Sequence, residues 1–144
     1  MIDPQQIQVG NELPVFVRSP GFDHWNRYAA VNDEFVPIHM DDEAGRAAGY
    51  PTAFGMGNLQ WSYLHNLLRA WIGDEGRIVS VGCQFRSPNV KGQEVTARGR
   101  VTGLREEAGE LFVDLEVWTE DQSGIPMAPG SAVVAWATEG APRS

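Results

Sequence analysis

The stretch VNDEFVPIHMDDEAGRAAGYPTAFGMGNL, residues 31–59, decides how the rest of the chain is read. It sets Asp33, Glu34 and His39 around Pro37, then runs through a short acidic-headed segment and a glycine-rich turn. Pro37 keeps Val36 out of the helical region, so the chain breaks after residue 31. Asp41 or Asp42 is suited to cap a short helix running through Ala48, and Gly49 fits the position just past its end. PTAFGMG, residues 51–57, reads as a loop. Residues 58–71 then read as a long helix, with Leu64, Leu67, Leu68 and Trp71 in one stripe, Leu59 and Tyr63 widening it, and Gly73 as the stop. A helix apolar over so much of its girth is expected to be buried, here wrapped by a sheet.

Upstream of this stretch, residues 2–10 read as a lead-in. Residues 13–18, LPVFVR, have the β-branched and aromatic content of a strand, and Pro14 assigns it to an edge or a strand start. Asp23 is a candidate N-cap for a helix over residues 24–31, whose Trp25, Tyr28 and Ala29 share a face. Downstream of Gly76 the period changes to two. Val79, Val81, Cys83 and Phe85 alternate with polar residues and Gly82. A second strand follows over residues 94–101. Leu111, Val113, Leu115 and Val117 mark a third, after a turn at 106–109. Residues 131–137 make the fourth, after a Gly/Pro-rich loop at 123–130. One strand, helices and then four consecutive strands predict a single α+β domain over residues 1–144, an antiparallel sheet around one long helix.

Composition sets the outer limits. The chain has 144 residues, 42% hydrophobic and 21% charged, enough for one good core. Its formal charge of −8 argues against nucleic acid or an anionic membrane as partner. A single cysteine, Cys83, excludes an internal disulfide and a cysteine zinc cluster, and its alternation with core valines reads as a small hydrophobe. The opening MIDPQQIQVG lacks the basic and apolar regions of a signal peptide, and no apolar run is long enough to span a bilayer, so a cytoplasmic domain is expected.

The segment YAAVNDEFVPIHMDDEAGRAAGYP, residues 28–51, resembles the hydratase motif of the MaoC-like family, which includes (R)-specific enoyl-CoA hydratases and 3-hydroxyacyl-thioester dehydratases. That motif is approximately Ser-Gly-Asp-x-Asn-Pro-x-His-x-Asp, followed by a small helix with Ala-Gly and then a His-Gly-Met turn. The likeness in layout extends over residues 22–136 and implies a hotdog fold. Pro37, His39 and Asp41 match the motif without a gap, which sets Glu34 at the catalytic acid position and Val36 in place of the Asn. With one inserted residue, Asp33 takes the acid position instead. Met56-Gly57-Asn58 is taken as the counterpart of His-Gly-Met.

The resemblance implies reversible addition of water to a trans-2-enoyl thioester of coenzyme A or an acyl carrier protein, with no further cofactor and no metal. The chemistry requires a base for the water, a proton for the α-carbon and stabilisation of the enolate oxygen. A carboxylate (Glu34 or Asp33) and the His39 imidazole can manage both proton movements. N–H groups at Gly57 and Asn58, opening the long helix, can polarise the thioester carbonyl, and such donors are worth roughly 3–4 kcal/mol each. Both acids can also be read as solvated loop residues, and His39 as a structural histidine partly buried between Ile38 and Met40. Ser62 is either a hydroxyl near the substrate or a small residue for close packing. Arg86 and Lys91 flank a turn that the family sets near the coenzyme A end, and can equally be solvated charges. Asp41 reads as a helix cap, and His65 as hydrogen-bonded structure. Phe35, Phe54, Trp61 and Tyr63 can line a pocket or fill the core. Two other readings are a non-catalytic or half-site subunit of a heteromer and, behind it, a hotdog thioesterase. An open sheet edge in so small a domain predicts a dimer that continues the sheet, homomeric unless a second MaoC-like subunit completes it.

Overall fold

The computed structural model describes residues 1–138. Its helices are α1 (Phe22–Asn32), α2 (Asp42–Ala47) and α3 (Gly57–Ile72), with short 3₁₀ turns at Pro4–Gln6 and Pro37–His39. Its strands are β1 (Phe16–Arg18), β2 (Gly76–Cys83), β3 (Val95–Glu107), β4 (Glu110–Glu120) and β5 (Pro126–Ala137). They pair antiparallel in one sheet, in the order β1-β3-β4-β5-β2. Helix α3 packs against all five strands, so the sheet curls around it in the hotdog arrangement.

Periodicity explains the core. Leu64, Leu67, Leu68 and Ile72 of α3 are buried against Val101, Val113, Leu115, Val117 and Val134. Each such side chain contributes roughly 1.5–3 kcal/mol by leaving water. Gln60, one turn earlier, is polar and also buried, and both its amide nitrogen and its amide oxygen are bonded. Its Nε2 donates to the Ser87 carbonyl at 3.2 Å, and its Oε1 accepts from the Thr119 hydroxyl at 2.7 Å. The start of α3 is thereby tied to β4 and to the 84–91 loop without an unmade buried bond.

Several boundaries differ from expectation, each for a local reason. The first strand pairs only from Phe16. Pro14 has no N–H to give, and the preceding residues meet β3 through a Glu12–Arg100 bridge and a Leu13 N–H to Gly99 carbonyl bond of 2.9 Å. Helix α1 starts two residues early with Gly21 as its N-cap, leaving Asp23 inside the first turn, where its charge complements the helix dipole. A bulge between Ile78 and Ser80 turns Val79 outward, 42% exposed, while Ile78, Val81 and Cys83 pack on the core. Phe85 lies beyond the end of β2. Most of the expected 123–130 loop is strand. The Asp121 carboxylate accepts the N–H groups of Ser123 and Ile125, which closes the turn so tightly that pairing resumes at Pro126. The turn between β3 and β4 is two residues, Ala108 and Gly109, both at positive φ.

Candidate active site

The candidate acid–base residues Asp33, Glu34 and His39 lie on the chain between α1 and α3. Helix α1 ends on Asp33, whose φ of 54° and ψ of 41° reverse the chain in the left-handed region, a conformation that Asp and Asn tolerate better than most residues. The N–H of Glu34 then returns to the Ala29 carbonyl at 3.0 Å. Asp33 is exposed and Glu34 half-buried. Val36 and Pro37 open the 3₁₀ turn that delivers His39, which is only 7% exposed. Asp41 caps α2 as expected, accepting from the N–H groups of Glu43 and Ala44.

His39 is held by Phe54. The Nδ1 of His39 lies 2.6 Å from the Phe54 carbonyl oxygen. A carbonyl only accepts, so Nδ1 carries the proton and Nε2 is left as the acceptor. The N–H of Phe54 meanwhile donates to the Ile38 carbonyl at 3.1 Å, and the two rings meet edge to face at 5.4 Å. One residue thus fixes both the backbone and the tautomer of its neighbour.

Residues 52–55 are fixed in turn from both sides. The Asp42 carboxylate accepts the Ala53 N–H at 3.0 Å and the Lys91 ammonium at 2.5 Å. These two bonds hold its pKa below the ordinary 3.8, the lysine having the larger effect. The Gly55 N–H donates to the Asn89 carbonyl at 2.7 Å, and the Lys91 N–H reaches Ala53 and Thr52. Close packing requires the glycines here. A Cβ on Gly45 would lie 2.1 Å from the Thr52 carbonyl oxygen, and one on Gly55 would lie 2.5 Å from Trp25 Nε1. Trp25, Ala29, Ala53 and Met56 form the small apolar cluster beneath.

Met56 is the N-cap of α3, and Gly57 and Asn58 are its first two residues. Helix geometry leaves their N–H groups without intrahelical acceptors. The Phe85 ring covers Gly57 so closely that a Cβ there would lie 2.8 Å from it. The chain therefore enters α3 through Phe54-Gly55-Met56, with Met56 as the cap and Gly57 opening the helix.

The remaining residues fall away from this centre. The Ser62 hydroxyl donates back to the Asn58 carbonyl at 3.0 Å. Lys91 is engaged by Asp42 and lies 4.5 Å from the centre of the Phe22 ring. Arg86 is exposed and donates to Gln84. His65 is not the hydrogen-bonded residue expected: its buried Nε2 has no partner among the described residues, and the ring stands edge-on to Trp61. No helix among the described residues is long and apolar enough to cross a membrane.

Comparison with known proteins places this arrangement. The family described as the MaoC like domain matches residues 7–120. The chain belongs to the MaoC-like domain family. A curated relative, the (R)-specific enoyl-CoA hydratase of Aeromonas caviae, is 28% identical over 131 residues, covering 90% of this chain and 96% of the relative. A solved structure described as the A. caviae (R)-hydratase involved in PHA biosynthesis superposes with a TM-score of 0.82 at 27% identity, covering 90% and 97% of the two chains. The ChsH1-ChsH2 complex of Mycobacterium tuberculosis shares the fold, with a TM-score of 0.79 at 19% identity over 90% of this chain and 98% of that one.

Proposed function

We propose that this protein is a hydro-lyase that adds water reversibly to a trans-2-enoyl thioester, giving the 3-hydroxyacyl thioester, with Glu34 and His39 as the acid–base pair. The observation that carries this reading is the buried His39 ring, locked by the Phe54 carbonyl with Nε2 as acceptor, on the turn that leads into α3. Likeness to an (R)-specific enoyl-CoA hydratase over nearly the whole of both chains supports it.

In the forward direction one member of the pair takes a proton from water as its oxygen bonds to C3 of the enoyl group. The electron pair of the double bond moves toward the thioester carbonyl. The enolate oxygen is met by N–H groups at the start of α3, and the helix dipole adds to their effect. The proton taken from water is passed across the pair to C2, which returns both groups to their starting state. Glu34 suits the carboxylate role better than Asp33. Asp33 is the exposed reversal of α1, a task set by its backbone, whereas Glu34 is half-buried and in the motif's ungapped position. The substrate carrier, coenzyme A or carrier protein, supplies no chemistry beyond the thioester.

The protein works as a dimer in this reading. Strand β2 is an edge of the sheet, with Val79 and Phe85 exposed beside it. Pairing β2 across two subunits would remove that edge. A homodimer is the simplest form. Val36 in place of the motif's Asn favours a second reading, in which this chain completes the site of a different MaoC-like subunit.

The test is hydration of trans-2-enoyl-CoA followed by loss of enoyl absorbance, with light scattering for subunit number. His39→Ala and Glu34→Ala are expected to cost about 100-fold or more, and Asp33→Ala much less. Activity indifferent to His39→Ala would sink the mechanism. Activity appearing only after a second subunit is added would establish the heteromer.

A further inference from the structure

The start of α3 is covered by an aromatic ring that the core does not require. Phe85 follows β2 and is 53% exposed, so it gains little by leaving water. Its position is nevertheless fixed. The Gln84 N–H donates to the Pro129 carbonyl at 2.9 Å and the Arg86 N–H to the Met127 carbonyl at 3.0 Å, which pins the backbone on both sides of it. The ring then lies against Gly57, where three of its carbons would stand 2.8 to 3.0 Å from an added Cβ. Glycine is a weaker helix former than alanine, and a half-exposed ring offsets little of that loss. The contact therefore points to a task at the helix start rather than to packing.

That task concerns water. On the hydratase reading above, the thioester carbonyl meets the N–H groups of Gly57 and Asn58, and the Glu34–His39 pair directs a water to C3. A polarised thioester and a carboxylate that activates water also suffice for attack at the carbonyl carbon, C1. In that reaction the water oxygen bonds to C1, the C–S bond breaks, and the thiolate leaves and takes up a proton, giving a free acid and a thiol. The two reactions differ in the carbon that water reaches. An N–H donor holds a carbonyl oxygen about 2.9 Å from its nitrogen. The Phe85 ring stands beside the Cα bonded to the Gly57 nitrogen. A carbonyl seated there is flanked by the ring, which takes the place of water on that side.

We propose that Phe85 determines reaction specificity: its ring packs on the thioester group and keeps water from C1, so that the activated water adds at C3. Phe85 moves no proton, and Gly57 serves the arrangement by leaving room for the ring. Hydration is thereby favoured over hydrolysis by one apolar side chain at a site whose polar parts fit both. This rests on the hydratase reading for the place of the carbonyl.

The experiment measures release of free thiol from butanoyl-CoA, a saturated thioester that cannot be hydrated, beside hydration of trans-2-butenoyl-CoA. The proteins compared are the wild type, Phe85→Ala and Phe85→Leu. Phe85→Ala is expected to raise thiol release about tenfold and to lower hydration, because water then reaches the carbonyl. Phe85→Leu, which keeps an apolar cover, is expected to stay close to the wild type. Gly57→Ala, which displaces the ring without removing it, is expected to move the ratio of the two rates in the same direction as Phe85→Ala. A ratio unchanged in Phe85→Ala overturns the proposal, as does a wild type that hydrolyses as fast as it hydrates. Thiol release that rises in Phe85→Ala although the wild type hydrates no enoyl-CoA would retain the cover and remove the hydratase. Hydration lost in His39→Ala, with thiol release indifferent to Phe85, would do the reverse.

Discussion

Helix α3 buries Leu64, Leu67 and Leu68 to 1% exposure or less against a curled sheet, whereas α2, beside the candidate site, buries only a glycine. The first region is held by apolar area, which is non-directional and forgiving of small shifts. The second is held by a few directed contacts: the Phe54 carbonyl on His39, the Asp42 carboxylate on Ala53 and Lys91, and two glycines pressed against neighbouring atoms. Stability is thereby assigned to the sheet and geometry to the segment before α3. Such a division lets residues 33–58 carry polar groups that a tight core would reject.

The largest effect expected on this view is Leu64→Ala. Leu64 is fully buried in the core around α3, and its truncation is expected to cost about 2–5 kcal/mol, read as a shift in the urea midpoint at unchanged slope. Gly45→Ala should follow. Its added methyl would overlap the Thr52 carbonyl and push α2 away from residues 52–53. The expected destabilisation is about 1–3 kcal/mol, with a disproportionate loss of enoyl-CoA hydration. If Gly45→Ala shifted the urea midpoint as far as Leu64→Ala while sparing hydration, the division between the two regions would be gone.

Asp42 sharpens the comparison because it touches nothing reactive. It acts through Ala53, whose next residue, Phe54, orients His39. Asp42→Ala is expected to lower kcat of the proposed hydration about tenfold with KM little changed, since small displacements of a positioned group are costly. Asp42→Asn, which keeps an acceptor for the Ala53 N–H, should recover most of it. The Asp42 pKa is depressed, so the brace is complete above the ordinary 3.8 and is lost as pH falls through the lower folded value. Its failure should therefore appear only in acid, below any loss that sets in near neutrality. Equal kcat in Asp42→Ala and wild type would remove Asp42 from the site.

How much of this was legible in the sequence follows the same division. Period and punctuation located α3, the four late strands and the hairpin, expected at residues 106–109 and found at 108–109, because apolar burial leaves a repeating signature. The bulge at Val79 escaped, since the alternation from Val79 to Phe85 continues through it in the sequence while the pairing shifts. In the site region, Asp41 announced itself as a cap and His39 as partly buried between apolar neighbours. The Phe54 carbonyl had no signature, being backbone. Asp42 had none either, because its partner Lys91 is brought to it only by the fold.

The smallest effect expected belongs to His65, a polar residue on the apolar side of the division. It lies on α3 with Nε2 buried and unpaired, and its ring centre is 4.5 Å from that of Trp61. Burial, and then the charge of Arg69, hold its pKa below the ordinary 6.5. The folded state thus favours the neutral ring. Its contribution is complete above pH 6.5 and is lost as pH falls toward the folded value, because the unfolded chain takes up the proton first. His65→Phe keeps an edge-on contact with Trp61 and removes the unpaired nitrogen. The variant is expected to gain up to about 1 kcal/mol at pH 7 and to show a flatter thermal midpoint between pH 7 and 5 than the wild type. A wild-type midpoint as flat as the variant's would mean that His65 finds a proton acceptor in solution, for instance across the β2 edge in a dimer. The boundary between the two regions would then run through the subunit interface.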